Sequence, residues 1–430
     1  MNNHDVNRYI RRLSDEILER KLKGLGAVVI VGSKWCGKTT SAKQVAGSVV
    51  SFATEREAES GRIILENRPS ALFDKETPIL IDEWQVIPSV WDEVRKEVDE
   101  RSLPGQFILT GSAVPPNLDE HTLHSGTGRF SWLRMRPMSL YESGDSDGAV
   151  SIKELFDSND GIYAKNRVDI ASICFLICRG GWPYSLSLDA EIALDVPNDY
   201  TEGVINSDVS RVDGVNRNPE RTRNILRSYA RNQGTHISLD VIRNDIKEND
   251  SKEIDTLTIQ SYLNALRRIF VIEDVKAWNP NLRSKRVVRV SDTRYFVDPS
   301  IATAVLNIGP GDLENDLNTL GLFLETLCIR DLRVYAQSLG GDIFHYLDNK
   351  GLECDAVMHL RDGRYALIEI KLGGQTLIEK GAASLKKLRE EIDTTRMKSP
   401  SFLMVLTGLG DCAYRRDDGV YVVPVGCLRN

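Results

Sequence analysis

Val28-Val29-Ile30-Val31-Gly32-Ser33-Lys34-Trp35-Cys36-Gly37-Lys38-Thr39-Thr40 is the stretch from which the rest of the chain is read. An apolar, β-branched run predicts a buried strand, and Thr40 to Ala46 can continue as a helix. Between them lies the pattern G-x-x-x-x-G-K-[ST]. Gly32 and Gly37 let the backbone turn so that its N–H groups face phosphate oxygens. Ser33, Lys34, Trp35 and Cys36 form the crest, and Lys38 supplies a cation for the β- and γ-phosphates. The Thr39 hydroxyl suits Mg²⁺, and Thr40 opens the helix. The expected ligands are ATP and Mg²⁺.

Pro78-Ile79-Leu80-Ile81-Asp82-Glu83 follows about 40 residues later, a strand ending in two acids. Asp82 would serve the Mg²⁺ shell and Glu83 the attacking water, which turns binding into hydrolysis. Gln106 to Ser112 predicts a neighbouring strand that presents Thr110 or Ser112 toward the γ-phosphate, as sensors. Arg129, between Gly128 and Phe130, is the first candidate for the arginine that meets developing charge, in cis or from another subunit. Arg134 and Arg136 stand behind it.

The run from the phosphate loop through Ile81-Asp82-Glu83-Trp84-Gln85, Leu109-Thr110-Gly111-Ser112 and Met135-Arg136-Pro137-Met138-Ser139-Leu140 resembles prokaryotic AAA-superfamily ATPases that carry a C-terminal nuclease-like region. The resemblance implies an ATPase and leaves its client open. Arg179-Gly180-Gly181-Trp182-Pro183 is similar to a signature of the same family and fits a tight turn.

At 430 residues the chain calls for several domains. The reading is α/β throughout: an AAA-type P-loop domain over 1–143, a helical linker over 144–219, a winged-helix-like domain over 220–300, and a restriction-endonuclease-like domain over 301–430. Three helical patterns near 223–233, 239–246 and 258–269 precede two strand-like runs, 271–277 and 286–290, which is the order of a winged helix. Arg267 and Arg268 would project from its third helix, and Arg283, Lys285 and Arg286 would line the wing, where they suit DNA or RNA phosphates. A packing module with solvated basic residues is the alternative.

In the last domain Asp355, then Glu369 and Lys371 two residues apart on the next strand, form the PD-(D/E)xK pattern, with Cys354 where its name has proline. Asp355, Glu369 and the upstream Glu325 would bind Mg²⁺, and Lys371 would activate water. The functional expectation is Mg²⁺-dependent ATP hydrolysis coupled to action on nucleic acid, with metal-dependent cleavage in the last domain. The alternative is a nucleotide-switched scaffold whose nuclease-like domain is inactive. A homo-oligomer is expected.

A formal net charge of −7 argues against a chain coated in basic surface. Seven scattered cysteines read as free thiols in a reducing compartment. No stretch approaches the ~20 apolar residues that cross a bilayer. Met1-Asn2-Asn3-His4-Asp5 lacks a signal-peptide pattern. A cytoplasmic protein without membrane partners is expected.

Overall fold

In the computed structural model, which describes residues 9–113, 126–158, 160–250, 253–279, 291–395 and 397–430, the opening run forms β1 (Ala27–Val31). All five of its residues are buried. Ala27, Val29 and Val31 enter one apolar cluster with Trp84 and Trp91, while Val28 and Ile30 enter another with Ile17 and Leu18. A strand covered on both faces needs this unbroken apolar sequence. Each Val or Ile so buried stabilises by about 1.5–3 kcal/mol relative to exposure.

By its contacts the chain divides into two units. The first takes in the chain up to Pro137 together with Asn206–Arg217 and Tyr262–Val271. Its sheet adds β2 (Ser48–Ser51), β3 (Ile79–Asp82), β4 (Phe107–Gly111) and β5 (Phe130–Arg134), in the order β2-β3-β4-β1-β5, with every pairing parallel. The strand ending in Asp82 is thus one place removed from β1, and β4 fills the gap. The helix Val90–Arg101 buries Val90, Trp91, Val94 and Val98, as its spacing predicts.

The second unit comprises Met138–Ile205, Asn218–Ser261 and Ile272–Asn430. Short strands β6 (Val150–Ser151) and β15 (Leu428–Arg429) pair with each other. The large sheet contains β7 (Tyr163–Lys165), β8 (Lys276–Ala277), β9 (Gly341–Leu347), β10 (Glu353–Leu360), β11 (Tyr365–Lys371), β12 (Phe402–Thr407), β13 (Cys412–Arg415) and β14 (Tyr421–Pro424). Their order is β7-β13-β14-β12-β11-β10-β9-β8. β9, β10 and β11 run antiparallel and β12 joins β11 in parallel. The helices Leu317–Ser338 and Gln375–Glu391 flank this run in sequence, giving the order α-β-β-β-α-β. The sequence predicts one helix over 313–330. The chain instead breaks at Asp316, whose carboxylate caps the longer helix by accepting from the N–H groups of Asn318 and Thr319.

Helices form at Pro219–Arg231, Leu239–Asp250 and Thr256–Arg268, close to the three expected. The following run gives isolated bridges, Ile272 to Phe296 and Val275 to Thr293, before β8 joins β9. The expected second wing strand, 286–290, lies outside the described residues, as do Arg283, Lys285 and Arg286.

Candidate functional site

The loop after β1 is shaped by two glycines. Gly32 has φ +155, and a Cβ there would lie 2.0 Å from the Met135 carbonyl oxygen. Gly37, at φ 99, caps the helix Lys38–Lys43. Trp35 adopts φ 64 without being glycine, and it is 52% exposed on the crest. A backbone of this kind aims N–H groups into one concavity, as phosphate recognition requires. Lys38 is buried, and its ammonium donates to the carbonyls of Gly32 at 2.9 Å and Ser33 at 2.8 Å. The cation therefore sits inside the loop.

Asp82, at the end of β3, accepts two hydroxyl hydrogen bonds on Oδ1, from Thr39 at 2.7 Å and from Thr110 at 2.6 Å. β4 lies between β1 and β3, so Thr110 is placed beside Asp82 by the register that pairs the two residues. Of the two sensor candidates, Thr110 is the one whose hydroxyl reaches Asp82, while Ser112 is buried one residue beyond the strand. The Thr39 hydroxyl and the Asp82 carboxylate are hard oxygen donors brought together, a set that fits Mg²⁺ beside a phosphate loop. Glu83 follows at φ 57, a left-handed turn that ends β3. Its carboxylate accepts a short hydrogen bond from the Gln85 amide.

Sequence reading passed over three residues here. Gln85 holds Glu83, and its other amide atom packs where a Cβ on Gly111 would come within 2.5 Å. Arg12 is buried and donates to the Cys36 carbonyl at 2.8 Å and the Arg136 carbonyl at 2.9 Å, tying the loop to the segment after β5. Asp208 reaches Lys34. Arg12 and Asp208 are far from the loop in sequence, so no local pattern announces them.

Of the two roles expected for Arg129, the geometry opposes the one within its own chain. β5 pairs with β1 in parallel from Phe130 opposite Ala27 to Arg134 opposite Val31. Arg129 therefore lies at the end of the sheet away from the loop, about 16 Å off at ~3.3 Å per residue. Its guanidinium forks onto Asp99, with Nε 2.8 Å from Oδ1. It cannot serve its own chain's nucleotide site. Arg134 is at the loop end of β5 and lies over the Phe270 ring at 4.9 Å.

In the second unit Asp355, Glu369 and Lys371 do converge. The β9–β10 register shifts between Cys354 and Val357, and such a bulge re-aims the residue it contains, here Asp355. Asp355 Oδ2 accepts from the Ile370 N–H at 2.7 Å and from the Lys371 ammonium at 3.1 Å, and Lys371 also reaches Glu369 at 2.5 Å. Glu325, on the helix Leu317–Ser338, accepts a short hydrogen bond from the buried Tyr295 hydroxyl. Burial, reinforced by the Asp355 charge, pushes the Glu325 and Glu369 carboxyls up to about 8. Burial opposes the Lys371 ammonium, but Asp355 and Glu369 outweigh it and keep the lysine charged.

Glu369 Oε1 and Thr407 Oγ1 are buried there without a hydrogen-bond partner. Among the described residues no group of three His, Cys, Asp or Glu side chains is placed to hold a metal ion, and Lys371 bonds both Asp355 and Glu369. Arg267 and Arg268 are half-buried, and Arg268 points to Asp213 at 3.9 Å. No helix among the described residues is long and apolar enough to cross a membrane.

A family model described as an AAA domain matches residues 26–143. The matched stretch contains the loop and the Asp82 pair, so residues 26–143 of the first unit are similar to an AAA domain. Residues 170–312 and 320–428 match two domains of unknown function, DUF8612 and DUF4143. Curated relatives are two uncharacterized proteins, Mb2031c of Mycobacterium bovis and Rv2008c of Mycobacterium tuberculosis. Each is 27% identical over 153 residues, which is 34% of this chain and 34% of the relative. The match thus spans about a third of the length of either relative. Among solved structures, the Walker-type ATPase PABY2304 of Pyrococcus abyssi is similar with a TM-score of 0.43 and 15% identity, over 70% of this chain and 99% of that one. The Aeropyrum pernix Orc1 protein in complex with DNA gives 0.21 and 13%, over 71% and 94%.

Proposed function

We propose that the chain is a Mg²⁺-dependent ATPase that couples hydrolysis to action on nucleic acid through a C-terminal domain of the PD-(D/E)xK type. The observation that carries the ATPase half is the pair of hydroxyls, Thr39 and Thr110, on the one carboxylate oxygen of Asp82. On binding, the phosphates take Lys38 from the Gly32 and Ser33 carbonyls. Thr39 and Asp82 would hold Mg²⁺, which supplies charge neutralisation at the β- and γ-phosphates. Glu83, released from Gln85, accepts the proton of the attacking water, and Thr110 orients Asp82.

The α-β-β-β-α-β order, with Asp355 on β10 and Glu369 and Lys371 on β11, supports the nuclease-like assignment. The bonding of Lys371 to both carboxylates favours a second reading, a nucleotide-switched scaffold without cleavage. The remaining role for Arg129 is toward another subunit's nucleotide, in a homo-oligomer. An ATPase rate per subunit that does not change with protein concentration would remove it.

One experiment separates the readings: incubation with Mg²⁺ and ATP on single-stranded and duplex DNA and RNA, following phosphate release and strand cleavage. Lys38→Ala should abolish phosphate release. Cleavage lost in Lys371→Ala supports the nuclease, and cleavage that survives it sinks the proposed site. Phosphate release with every nucleic acid left whole supports the scaffold.

A further inference from the structure

Lys34 stands on the crest of the phosphate loop, and its ammonium lies 2.6 Å from Asp208 Oδ1. Asp208 ends a π-helical turn, Val204–Asp208, a geometry that is rare and gathers at functional sites. Its side chain is 13% exposed, against 45% for Lys34, so the carboxylate is the fixed partner and the lysine the movable one.

What fixes Asp208 is the segment behind it. Buried Arg217 donates to the Val209 carbonyl at 2.8 Å and forks onto Asp213 at 2.6 and 2.8 Å. Arg217 also lies over the Tyr262 ring at 5.6 Å, and Arg268 reaches Asp213. Asn206–Arg217 and Tyr262–Val271 belong to the same unit as the phosphate loop. The fold therefore anchors a carboxylate beside a loop built to receive a polyanion. That carboxylate occupies a cation the phosphates would use, and it repels them directly.

We propose that Asp208 is a counter-ion latch on the phosphate loop. It holds Lys34 when the site is without nucleotide, and nucleotide phosphates displace it, so that occupancy is reported to Asn206–Arg217. The proposal rests on the ATP-site reading and names its regulation. A half-exposed ion pair contributes little, so a triphosphate competes with it easily. Linkage is reciprocal: the factor by which the latch weakens nucleotide binding is the factor by which nucleotide loosens the latch.

The test is ADP binding by calorimetry to the full chain and to Asp208→Asn, which keeps the shape and removes the charge. The variant should bind about fivefold tighter, equivalent to about 1 kcal/mol. Hydrogen exchange of residues 204–212 is the second readout. ADP should raise it in the wild type, and Lys34→Met should raise it without ADP. Equal or weaker ADP binding by Asp208→Asn, or exchange unmoved by both ADP and Lys34→Met, overturns the latch. A wild type that binds no ADP overturns the ATP-site reading itself.

Discussion

Glu83, the base in the proposed mechanism, is tied closely to Gln85. Its carboxylate is held by an amide two residues away, across a left-handed turn. Glu83→Gln removes the base and leaves the phosphate loop, Lys38 and Thr39 as they are. The expected outcome is a kcat reduced about 10²–10⁴-fold, the usual worth of a positioned base, with ADP affinity within about twofold of wild type. Single-turnover phosphate release and calorimetry together check it.

His345 offers a test at the same scale in the other unit. It is buried on β9, with Nε2 3.0 Å from the Ser291 carbonyl oxygen and Nδ1 without a hydrogen-bond partner. Burial, helped by the neighbouring His236, holds its pKa down to about 4, against 6.5 for the free side chain. Between those two values the unfolded chain binds the extra proton and the folded chain does not. Stability from this residue is therefore full above pH ~6.5 and is lost as the pH falls toward 4. Urea unfolding midpoints across that window should decline in the wild type. His345→Gln should flatten the decline, and an unaltered slope would assign it to other groups.

At the scale of the element, β1, its loop and the helix Val90–Arg101 could be read from the sequence, because apolar period and glycine placement are local signals. So was the shared face of Glu369 and Lys371, since alternation along a strand fixes which face a residue takes, whereas the bulge that aims Asp355 left no local signal. Strand order was not local. Nothing near Arg129 says that its strand runs parallel to β1 and leaves it at the far end, and nothing near Arg12 says that its guanidinium braces Cys36. The break at Asp316 was hidden by apolar residues on both sides, which keep helical spacing across the cap.

β4 makes the same point through Gly111. A Cβ there would come within 2.5 Å of Gln85 Oε1 and 3.0 Å of Trp84 Nε1, so the strand end is fitted against the turn that carries Glu83. Gly111→Ala should destabilise the first unit by about 1–3 kcal/mol through overpacking. It should also lower kcat, because Gln85 and Thr110 must shift together. Denaturant unfolding alongside ATPase rates checks both halves.

Over the whole molecule, one buried cation in the second unit joins segments far apart in sequence. Arg330 is 1% exposed at its side chain and pairs with Asp298 at 2.9 Å and Asp331 at 2.7 Å. Asp298 also accepts from the Gly181 N–H, and Asp331 accepts from the Leu140 N–H, each at 2.9 Å. Segments near residues 140, 181, 298 and 330 are thereby fastened at one point. The glycines of Arg179-Gly180-Gly181-Trp182 are needed there: a Cβ on Gly181 would lie 2.2 Å from the Met138 carbonyl oxygen, and one on Gly180 2.4 Å from Ser300 Oγ. The sequence signature is thus a packing requirement of this knot. Arg330→Ala would leave two buried aspartates without their cation and should cost about 3–5 kcal/mol. Asp298→Asn together with Arg330→Met removes charge from both sides and should recover part of that loss. Urea unfolding of the two variants measures the difference, and equal stabilities would show that an uncompensated charge does not set the cost.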